Sequence, residues 1–462
     1  MRGGAAAPQI PVRRGTMKKS RVFPILLLCL ALCGASACAK PTEKTPSGEE
    51  GFKFAVISDS QLVPNSSNYT SVNLENTLQA IREESVDVVV FAGDIVDYGA
   101  ESTYDYYKKV EDAAFEGAKK PEFVYIMGNH ETYNASGAEL SYQQLAELFE
   151  DKLGQTKNVH KVVEGYHFIG ISSDGTDLSC NYSEETLGWA RSCMEESVSE
   201  DPSRPIFVTV HAAPEDTVLG SEKETEMGNP ALNGLFEDFP QAVVFSGHSH
   251  KPLANPRSIW QGDYTVVNTQ AIAYTSVATE GVGVIQPGSS DYRYPEGYNE
   301  YGYGLICTVE EGTHKVVMER MNFTLDKKLG ADFVLESFKK EDFVYTDARF
   351  EKDVPPEFPS DTQLMIEKDI LSTEKFSGYL QFRAATHPDC VIYYKVVVDN
   401  GTEEKEYLVY TDYFKGAESM AKSCELYVPG FLLAESYDVS VYAVSPYLTL
   451  SEPLLAHIDA QQ

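Results

Sequence analysis

The sequence predicts a mixed α/β domain followed by a smaller all-β sandwich. From Phe52 onward, short apolar runs rich in β-branched residues alternate with stretches of helical periodicity, which is typical of α/β domains. Several of these runs end at an Asp, Asn or His residue. After about Lys328 the pattern changes to short, alternating, turn-rich strands, and this pattern favours a β-sandwich.

The predicted strands of the first domain are apolar throughout, as expected when both faces of a sheet are covered. After the first run, Leu74, Leu78 and Ile81 recur at i, i+4 and i+7, which predicts an amphipathic helix. A second helix is predicted over residues 101–118. The apolar runs are residues 54–57, 88–91, 123–127, 206–210 and 243–245.

Composition indicates a globular protein and excludes one class of partner. The 462 residues include 42% hydrophobic and 11% aromatic residues, enough to bury a core, and the length favours two domains or one domain with an appendage. There are 38 Lys and Arg residues against 70 Asp and Glu residues, a formal net charge of -32. Because binding to phosphate backbones depends on Lys and Arg, this charge argues against a nucleic-acid partner.

The N-terminal region predicts export. A basic stretch precedes an apolar run over residues 22–33 and small residues typical of a signal-peptidase site. This run is shorter than the roughly 20 residues that span a bilayer, so we interpret residues 1–37 as an upstream extension and signal peptide. Cys38 and the polar segment over residues 38–51 resemble the lipidated cysteine and tether of a bacterial lipoprotein. Ordinary cleavage to a free secreted protein is the alternative.

Side chains able to bind metal ions follow five of the predicted strands. Because the carboxyl ends of strands in open α/β sheets meet at one crevice, these residues should lie close together. Carboxylate and imidazole ligands suit Mn, Fe or Zn, and two such ions can clamp a phosphoryl group. A ligand that bridges two ions has to be a carboxylate, for which Asp94 is the best candidate. The residues are Asp59, Asp94, Asn129, His130, His211, His248 and His250.

The same positions carry a resemblance to a known family. Five blocks in this order, each at a strand end, resemble the calcineurin-like metallophosphoesterases over residues 52–325. The resemblance implies a four-layer sandwich of two mixed β-sheets flanked by helices, and two divalent or trivalent metal ions (Mn, Fe or Zn). The blocks are Asp59-Ser60-Gln61, Gly93-Asp94-Ile95-Val96-Asp97, Gly128-Asn129-His130-Glu131, His211 and Gly247-His248-Ser249-His250.

The resemblance also implies a role for each motif residue. His130 would protonate the leaving oxygen, and Asp97 would orient and charge it, since a neighbouring carboxylate favours the cationic form of a histidine. Asn129 would serve both a metal ion and the substrate, and Glu131 is expected to be structural. The first ion would be held by Asp59, Asp94 and His250, and the second by Asp94, Asn129, His211 and His248.

Two positions depart from the common pattern. Gln61 stands where the family most often has a histidine, and an amide oxygen is a weaker ligand, so we predict a looser first metal site there. Asp97 stands where purple acid phosphatases have a tyrosine, which disfavours that branch. Outside the motifs, a Gly/Tyr-rich stretch over residues 281–304 contains Arg293, which we predict to bind substrate phosphate. The alternative for this stretch is a long loop stabilised by tyrosine packing.

The expected function is that of an exported phosphoesterase with two metal ions. It would hydrolyse small phosphate esters, such as nucleotides or related monoesters and diesters, by in-line attack of a metal-bound hydroxide. The alternative is a non-catalytic or weakly active cell-surface binding protein on the same scaffold. Oligomeric state and disulfide pairing are left open, with Cys180–Cys193 and Cys390–Cys424 as local possibilities.

The tail predicts a second domain without a catalytic set. Residues 399–401 are Asp-Asn-Gly, which predicts a hairpin turn because Asn and Gly tolerate positive φ. Residues 437–444 resemble a late strand of fibronectin type III domains. We expect the phosphoesterase domain to cover residues 52–328, followed by a linker region over 329–356 and a fibronectin III-like sandwich over 357–462.

Overall fold

The structure is a computed structural model that describes residues 51–176, 178, 180–277 and 295–461. In chain order, the strands up to Leu335 are β1 (Phe52–Ile57), β2 (Val88–Phe91), β3 (Glu122–Tyr125), β4 (Val159–Val163), β5 (Tyr166–Gly170), β6 (Ile206–Thr209), β7 (Ala242–Ser246), β8 (Ile259–Gln261), β9 (Thr265–Asn268), β10 (Tyr303–Val309), β11 (Val316–Asn322), β12 (Lys327–Lys328) and β13 (Phe333–Leu335). The later strands are β14 (Met365–Ile370), β15 (Lys375–Arg383), β16 (Tyr393–Asp399), β17 (Glu404–Tyr410), β18 (Ser423–Leu432), β19 (Tyr437–Val444) and β20 (Leu454–Ile458).

Polar caps start several of the helices. Asn68, Ser141 and Ser183 each accept a backbone N–H of the first turn through the side chain. The second helix ends at Ala114, earlier than predicted, because Gly117 takes a φ of 73° shortly afterwards and turns the chain away. The helices are α1 (Tyr69–Glu84), α2 (Glu101–Ala114), α3 (Tyr142–Leu153), α4 (Glu184–Glu200), α5 (Asn233–Phe236) and α6 (Ala348–Lys352).

Two mixed sheets form the first domain. The seven-stranded sheet has the order β12-β11-β10-β1-β2-β3, with β13 paired to β11, and the six-stranded sheet has the order β4-β5-β6-β7-β9-β8. Strands β1, β2 and β3 are parallel, and so are β5, β6, β7 and β9. The carboxyl ends of the parallel strands therefore share one edge in each sheet.

Apolar cores on both faces of each sheet produce four layers. The core between the sheets contains Phe54, Phe207 and Phe245. Ala55 and Ile57 of β1 point the other way, into the core beneath α1, α2 and α3. A third core lies between the six-stranded sheet and helices α4 and α5. This arrangement explains why the strands are apolar at every position, and it confirms the predicted four-layer sandwich.

Two antiparallel sheets form the C-terminal region, which confirms the predicted all-β architecture. The first has the order β14-β15-β18 and the second has the order β17-β16-β19-β20. They enclose one apolar core between them. The predicted turn at residues 399–401 connects β16 to β17, and Gly401 has a φ of 82° there.

The C-terminal sheets pack directly against the first domain. Tyr413 and Phe414, which follow β17, join the core that lies between the two mixed sheets. Arg349 of α6 donates hydrogen bonds to the carbonyl oxygens of Pro256 and Ile259, at 2.9 and 2.6 Å. Strand β13 and helix α6 lie within residues 329–356. The segment between the domains therefore adds a strand to the seven-stranded sheet and, through Arg349, contacts the first domain.

The cysteines of the described chain, Cys180, Cys193, Cys307, Cys390 and Cys424, are free thiols. Neither of the two local disulfides that the sequence allows is therefore formed. Within the described ranges, no helix combines the length and the apolar character that crossing a bilayer requires.

A buried carboxylate on α2 joins this helix to the end of β3. The side chain of Glu111 is fully buried and accepts hydrogen bonds from the Tyr125 hydroxyl and from the ammonium groups of Lys108 and Lys120. Burial opposes its ionisation, but the hydrogen bonds from the two lysines hold the pKa of Glu111 below its usual value. Its stabilising effect is therefore present above the ordinary carboxyl pKa and is lost as the pH falls through the folded-state value.

Glu111→Ala should lower the free energy of unfolding by about 2 kcal/mol, because the Tyr125 hydroxyl loses its buried acceptor. Urea denaturation at neutral pH measures this change. The matched control is Asp112→Ala, since Asp112 pairs with Lys120 in a largely exposed position and its loss should cost less than about 1 kcal/mol. Equal effects of the two substitutions would contradict the assignment.

Candidate metal centre

The loops that follow five strands meet at the shared edge of the two sheets. Asp59 N–H donates to the Gly93 carbonyl at 3.0 Å, and Gly247 N–H donates to the His211 carbonyl at 3.0 Å. These backbone bonds connect the loop after β1 with that after β2, and the loop after β6 with that after β7. The structure thereby brings together the predicted residues Asp59, Gln61, Asp94, Asp97, Asn129, His130, His211, His248 and His250.

Three buried side chains form the centre of this cluster. One ligand atom from each of Asp59, Asp94 and His211 lies within 4.8 Å of the other two. His211 Nε2 is 3.2 Å from Asp94 Oδ2 and 3.9 Å from Asp59 Oδ1. The remaining predicted ligands adjoin it: His250 Nε2 is 3.1 Å from Asp59 Oδ1, while His248 Nδ1 and Asn129 Oδ1 each lie 3.2 Å from His211 Nε2.

Backbone donors fix which oxygen of each carboxylate faces the cluster. His130 N–H donates to Asp94 Oδ1 at 2.8 Å, and His248 N–H donates to Asp59 Oδ2 at 3.0 Å. The other oxygens, Asp94 Oδ2 and Asp59 Oδ1, are the ones that lie near His211. The loops thus present one oxygen from each carboxylate to the same space, while the other oxygen is held by a backbone N–H.

Two buried polar atoms at this place accept no hydrogen bond in the described chain. They are Asp59 Oδ1, despite its 3.1 Å approach to His250, and His248 Nε2. Leaving such atoms without a partner is costly, and a bound cation would satisfy them. The donor set of carboxylate, imidazole and amide groups fits Mn, Fe or Zn.

The electrostatics of the site also favour cations. Burial alone would lower the pKa of His211, but the carboxylates of Asp94 and Asp59 raise it to about 10. Burial and the neighbouring His211 lower the pKa of His248 to about 3, so its imidazole is neutral and its lone pair is available to a metal ion. Positive charge is therefore stabilised beside the two aspartates.

The ligand positions require an unusual backbone and close approaches. Asp59, Asp94, His248 and His250 have φ values of 54°, 53°, 66° and 53°, in the left-handed region. A Cβ at Gly128 would lie 2.2 Å from Asp94 Oδ1. The glycine therefore leaves the space that the Asp94 carboxylate occupies.

Glu131 connects the loops after β2 and β3. Its buried carboxylate accepts hydrogen bonds from the N–H groups of Asp94 and Gly128 through Oε2, at 3.0 and 2.7 Å, and from Val96 through Oε1, at 3.1 Å. Burial and the Asp94 carboxylate raise its pKa to about 7. The expected structural role of Glu131 is consistent with these bonds, although its three backbone donors were not predicted.

His130 lies at the border of the cluster with its side chain 21% exposed. Its Nδ1 is 3.2 Å from Asp97 Oδ1 and 3.0 Å from the Asp97 carbonyl oxygen, and its Nε2 is 3.8 Å from Asp94 Oδ2. Asp97 does not cap α2, because Ala100 occupies that position. Asp97 is thus placed to orient His130.

Gln61 contacts the cluster through its amide nitrogen. Gln61 Nε2 lies 3.1 Å from His130 Nε2, 3.4 Å from His250 Nε2 and 3.5 Å from Asp94 Oδ2. In this orientation the donor end of the amide faces Asp94 Oδ2. The role of Gln61 as a metal ligand stays a prediction, and Arg293 lies outside the described residues.

The sequence prediction did not assign a role to Tyr133. Its hydroxyl accepts a hydrogen bond from Asn129 Nδ2 at 2.8 Å. The signal available in the sequence was its position four residues after Asn129, at the end of a short helical turn over His130–Thr132. Such a turn brings residues separated by three or four positions together.

The geometry of this cluster agrees with a family comparison. Residues 52–252 match the model of the family described as calcineurin-like phosphoesterase. Over these residues the chain is similar to calcineurin-like phosphoesterases. The matched range contains each predicted metal-ligating residue and both predicted catalytic residues.

Individual proteins similar to this chain are distant. The probable glycerophosphodiester phosphodiesterase GpdQ of Arcobacter nitrofigilis is 24% identical over 173 residues, which are 36% of this chain and 57% of the relative. The purple acid phosphatase PPD1 of yellow lupin has a TM-score of 0.42 at 11% identity, with 62% of this chain and 53% of that chain covered. A Streptococcus pneumoniae protein titled a predicted phosphoesterase has a TM-score of 0.26 at 11% identity, with 62% of this chain and 97% of that chain covered.

Gly128→Ala should weaken metal binding by the first domain, because the added methyl group would displace the Asp94 carboxylate. We expect at least a tenfold higher dissociation constant for Mn²⁺, measured by calorimetric titration of the metal-free protein. Gly188→Ala is the matched control, since nothing lies within 4 Å of a Cβ at that position in α4. Unchanged Mn²⁺ binding by Gly128→Ala would show that the close approach does not matter.

Proposed function

We propose that this chain is a metal-dependent hydrolase of small phosphate esters. The observation that carries the proposal is the buried cluster of Asp59, Asp94 and His211, with ligand atoms within 4.8 Å of one another. The match of residues 52–252 to calcineurin-like phosphoesterases supports the same chemistry. We further propose that the protein is exported and carries a lipid anchor at Cys38, which lies outside the described residues. Incorporation of a labelled fatty acid at Cys38 would separate an anchored from a secreted form.

The cluster offers ligands for two metal ions. Asp94 is the proposed bridging residue, because one of its oxygens lies within 4.8 Å of a ligand atom of Asp59, proposed for the first ion, and of His211, proposed for the second. When bound, the ions would polarise the phosphoryl group and activate a water molecule for in-line attack. Asp59 and His250, with Gln61 as a further predicted ligand, would hold the first ion, and Asn129, His211 and His248 would hold the second.

His130 is the proposed proton donor to the leaving oxygen. Burial alone would lower the pKa of His130, but the carboxylates of Asp94 and Asp97 raise it to about 9. The contact of Nδ1 with Asp97 directs Nε2 towards the cluster. A protonated imidazole in this position can deliver its proton as the ester bond breaks.

The proposed substrates are small phosphomonoesters and phosphodiesters, including nucleotides. The chain carries a net charge of -32, which disfavours binding of nucleic acids. The name of the Arcobacter relative, a probable glycerophosphodiester phosphodiesterase, supports testing diesters of small alcohols first. Asn129 and Arg293 stay predicted substrate-binding residues.

Removal of metal ions should abolish hydrolysis of both p-nitrophenyl phosphate and bis(p-nitrophenyl) phosphate, and added Mn²⁺ should restore it. Asp94→Asn should bind fewer ions and lose activity, because an amide cannot give one anionic oxygen to each of two ions. Metal analysis and release of nitrophenol are the measurements, with the exposed Asp112→Asn as control. An active Asp94→Asn with a full metal content would contradict the bridging role, and a metal-replete wild type inactive on all esters would favour the binding-protein alternative.

His130→Ala should reduce kcat for alkyl phosphate esters by about 10² to 10⁴-fold, since a poor leaving group needs a proton. The loss should be much smaller for nitrophenyl esters, because nitrophenolate leaves without protonation. Steady-state rates over a series of leaving groups measure this difference, and His314→Ala, remote from the cluster and hydrogen-bonded to Tyr166, is the control. Equal losses for alkyl and nitrophenyl esters would rule out the proton-donor role.

A further inference from the structure

The side chain of Tyr133 contacts both a predicted metal ligand and the predicted proton donor. Asn129 Nδ2 donates a hydrogen bond to the Tyr133 hydroxyl at 2.8 Å. The tyrosine ring lies 4.8 Å from the imidazole ring of His130, with an angle of 50° between the planes. One residue outside the ligand set therefore touches two residues that the proposed reaction needs.

The hydrogen bond to Tyr133 decides which end of the Asn129 amide faces the cluster. An amide has a donor end and an acceptor end of similar size, and its hydrogen-bond partners select the orientation. With Nδ2 held by the Tyr133 hydroxyl, Oδ1 lies 3.2 Å from His211 Nε2. Without the hydroxyl, nothing in this contact favours the oxygen over the nitrogen at the metal position.

The ring of Tyr133 also restricts His130. Asp97, whose side chain is 42% exposed, contacts the imidazole at Nδ1, on one edge of the ring. Tyr133 is itself held in place, because its N–H donates to the His130 carbonyl at 3.0 Å and its carbonyl accepts from Gly99 N–H at 2.9 Å. These bonds hold the Tyr133 backbone, and the hydrogen bond from Asn129 holds its hydroxyl, so that the partly exposed ring lies against the His130 imidazole.

We propose that Tyr133 is a positioning residue, which fixes the Asn129 amide as a metal ligand and the His130 ring as a proton donor. The part of the proposal that concerns Asn129 is about metal binding alone. The part that concerns His130 rests on the proposed hydrolase function.

Two substitutions separate the hydroxyl from the ring. Tyr133→Phe keeps the ring and should weaken binding of the second Mn²⁺ ion about 10-fold, the lower end of the effect of removing a group that orients a metal ligand. Tyr133→Leu also removes the ring, and it should further lower kcat for alkyl esters relative to nitrophenyl esters with little change in KM. Tyr106→Phe, at a half-buried tyrosine on α2, is the control and should change none of these quantities.

A double-mutant cycle tests whether Tyr133 acts through Asn129. In an Asn129→Ala background, Tyr133→Phe should cause no further loss of Mn²⁺ affinity in calorimetric titrations. Wild-type affinity in Tyr133→Phe, or a full additional loss in the Asn129→Ala background, would overturn the proposal. If the wild type binds two ions but cleaves no ester, and Tyr133→Phe still loses the second ion, the proposed hydrolase function fails while the role towards Asn129 stands.

Discussion

The three hydrogen bonds that the Glu131 carboxylate accepts hold together the two loops on which the metal centre depends. Its donors are the N–H groups of Asp94, Val96 and Gly128, which lie in the loops after β2 and β3. One side chain therefore sets the distance between the loop that carries Asp94 and the loop that carries His130. Because backbone donors satisfy both oxygens, a carboxylate is tolerated in a fully buried position.

This use of a third carboxylate concentrates negative charge at one edge of the sheets. Asp59, Asp94 and Glu131 are all buried there; burial and repulsion from Asp94 raise the pKa of Glu131 to about 7, and the remaining charge favours cations nearby. Burial opposes the charge of both histidines, but Asp94 and Asp97 raise the pKa of His130 to about 9, and Asp94 and Asp59 raise the pKa of His211 to about 10. A bound cation would neutralise Asp59 and Asp94 in place of the His211 proton, so that His211 could serve as a neutral ligand.

Local sequence patterns predicted the features that depend on neighbours along the chain. Each apolar run ends where the chain leaves the core and a polar side chain follows. The ends of these runs therefore indicate the positions of Asp59, Asp94 and His211. The predicted strand over residues 437–444 agrees with β19 (Tyr437–Val444) for the same reason. The end of α2 was placed too late, because the helical pattern continues through residues that instead turn at Gly117.

Features that depend on distances between separate loops were not predicted from the sequence. The donors to Glu131, the orientation of the Gln61 amide and the contact of Tyr133 with Asn129 all arise once the strands have assembled. The insertion of Tyr413 and Phe414 into the core of the first domain is of the same kind. The spacing of residues along the chain does not determine these distances between loops.

The left-handed backbone at Asp59, Asp94, His248 and His250 also limits how this centre can change during evolution. Asp, Asn and His occur in that conformation several times more often than other side chains, whereas β-branched residues are rare there. Exchanges among the three favoured types would alter the affinity for one ion or another while the loops kept their shape. The main chain therefore restricts which side chains can stand at these four positions, in addition to the restriction that metal binding imposes.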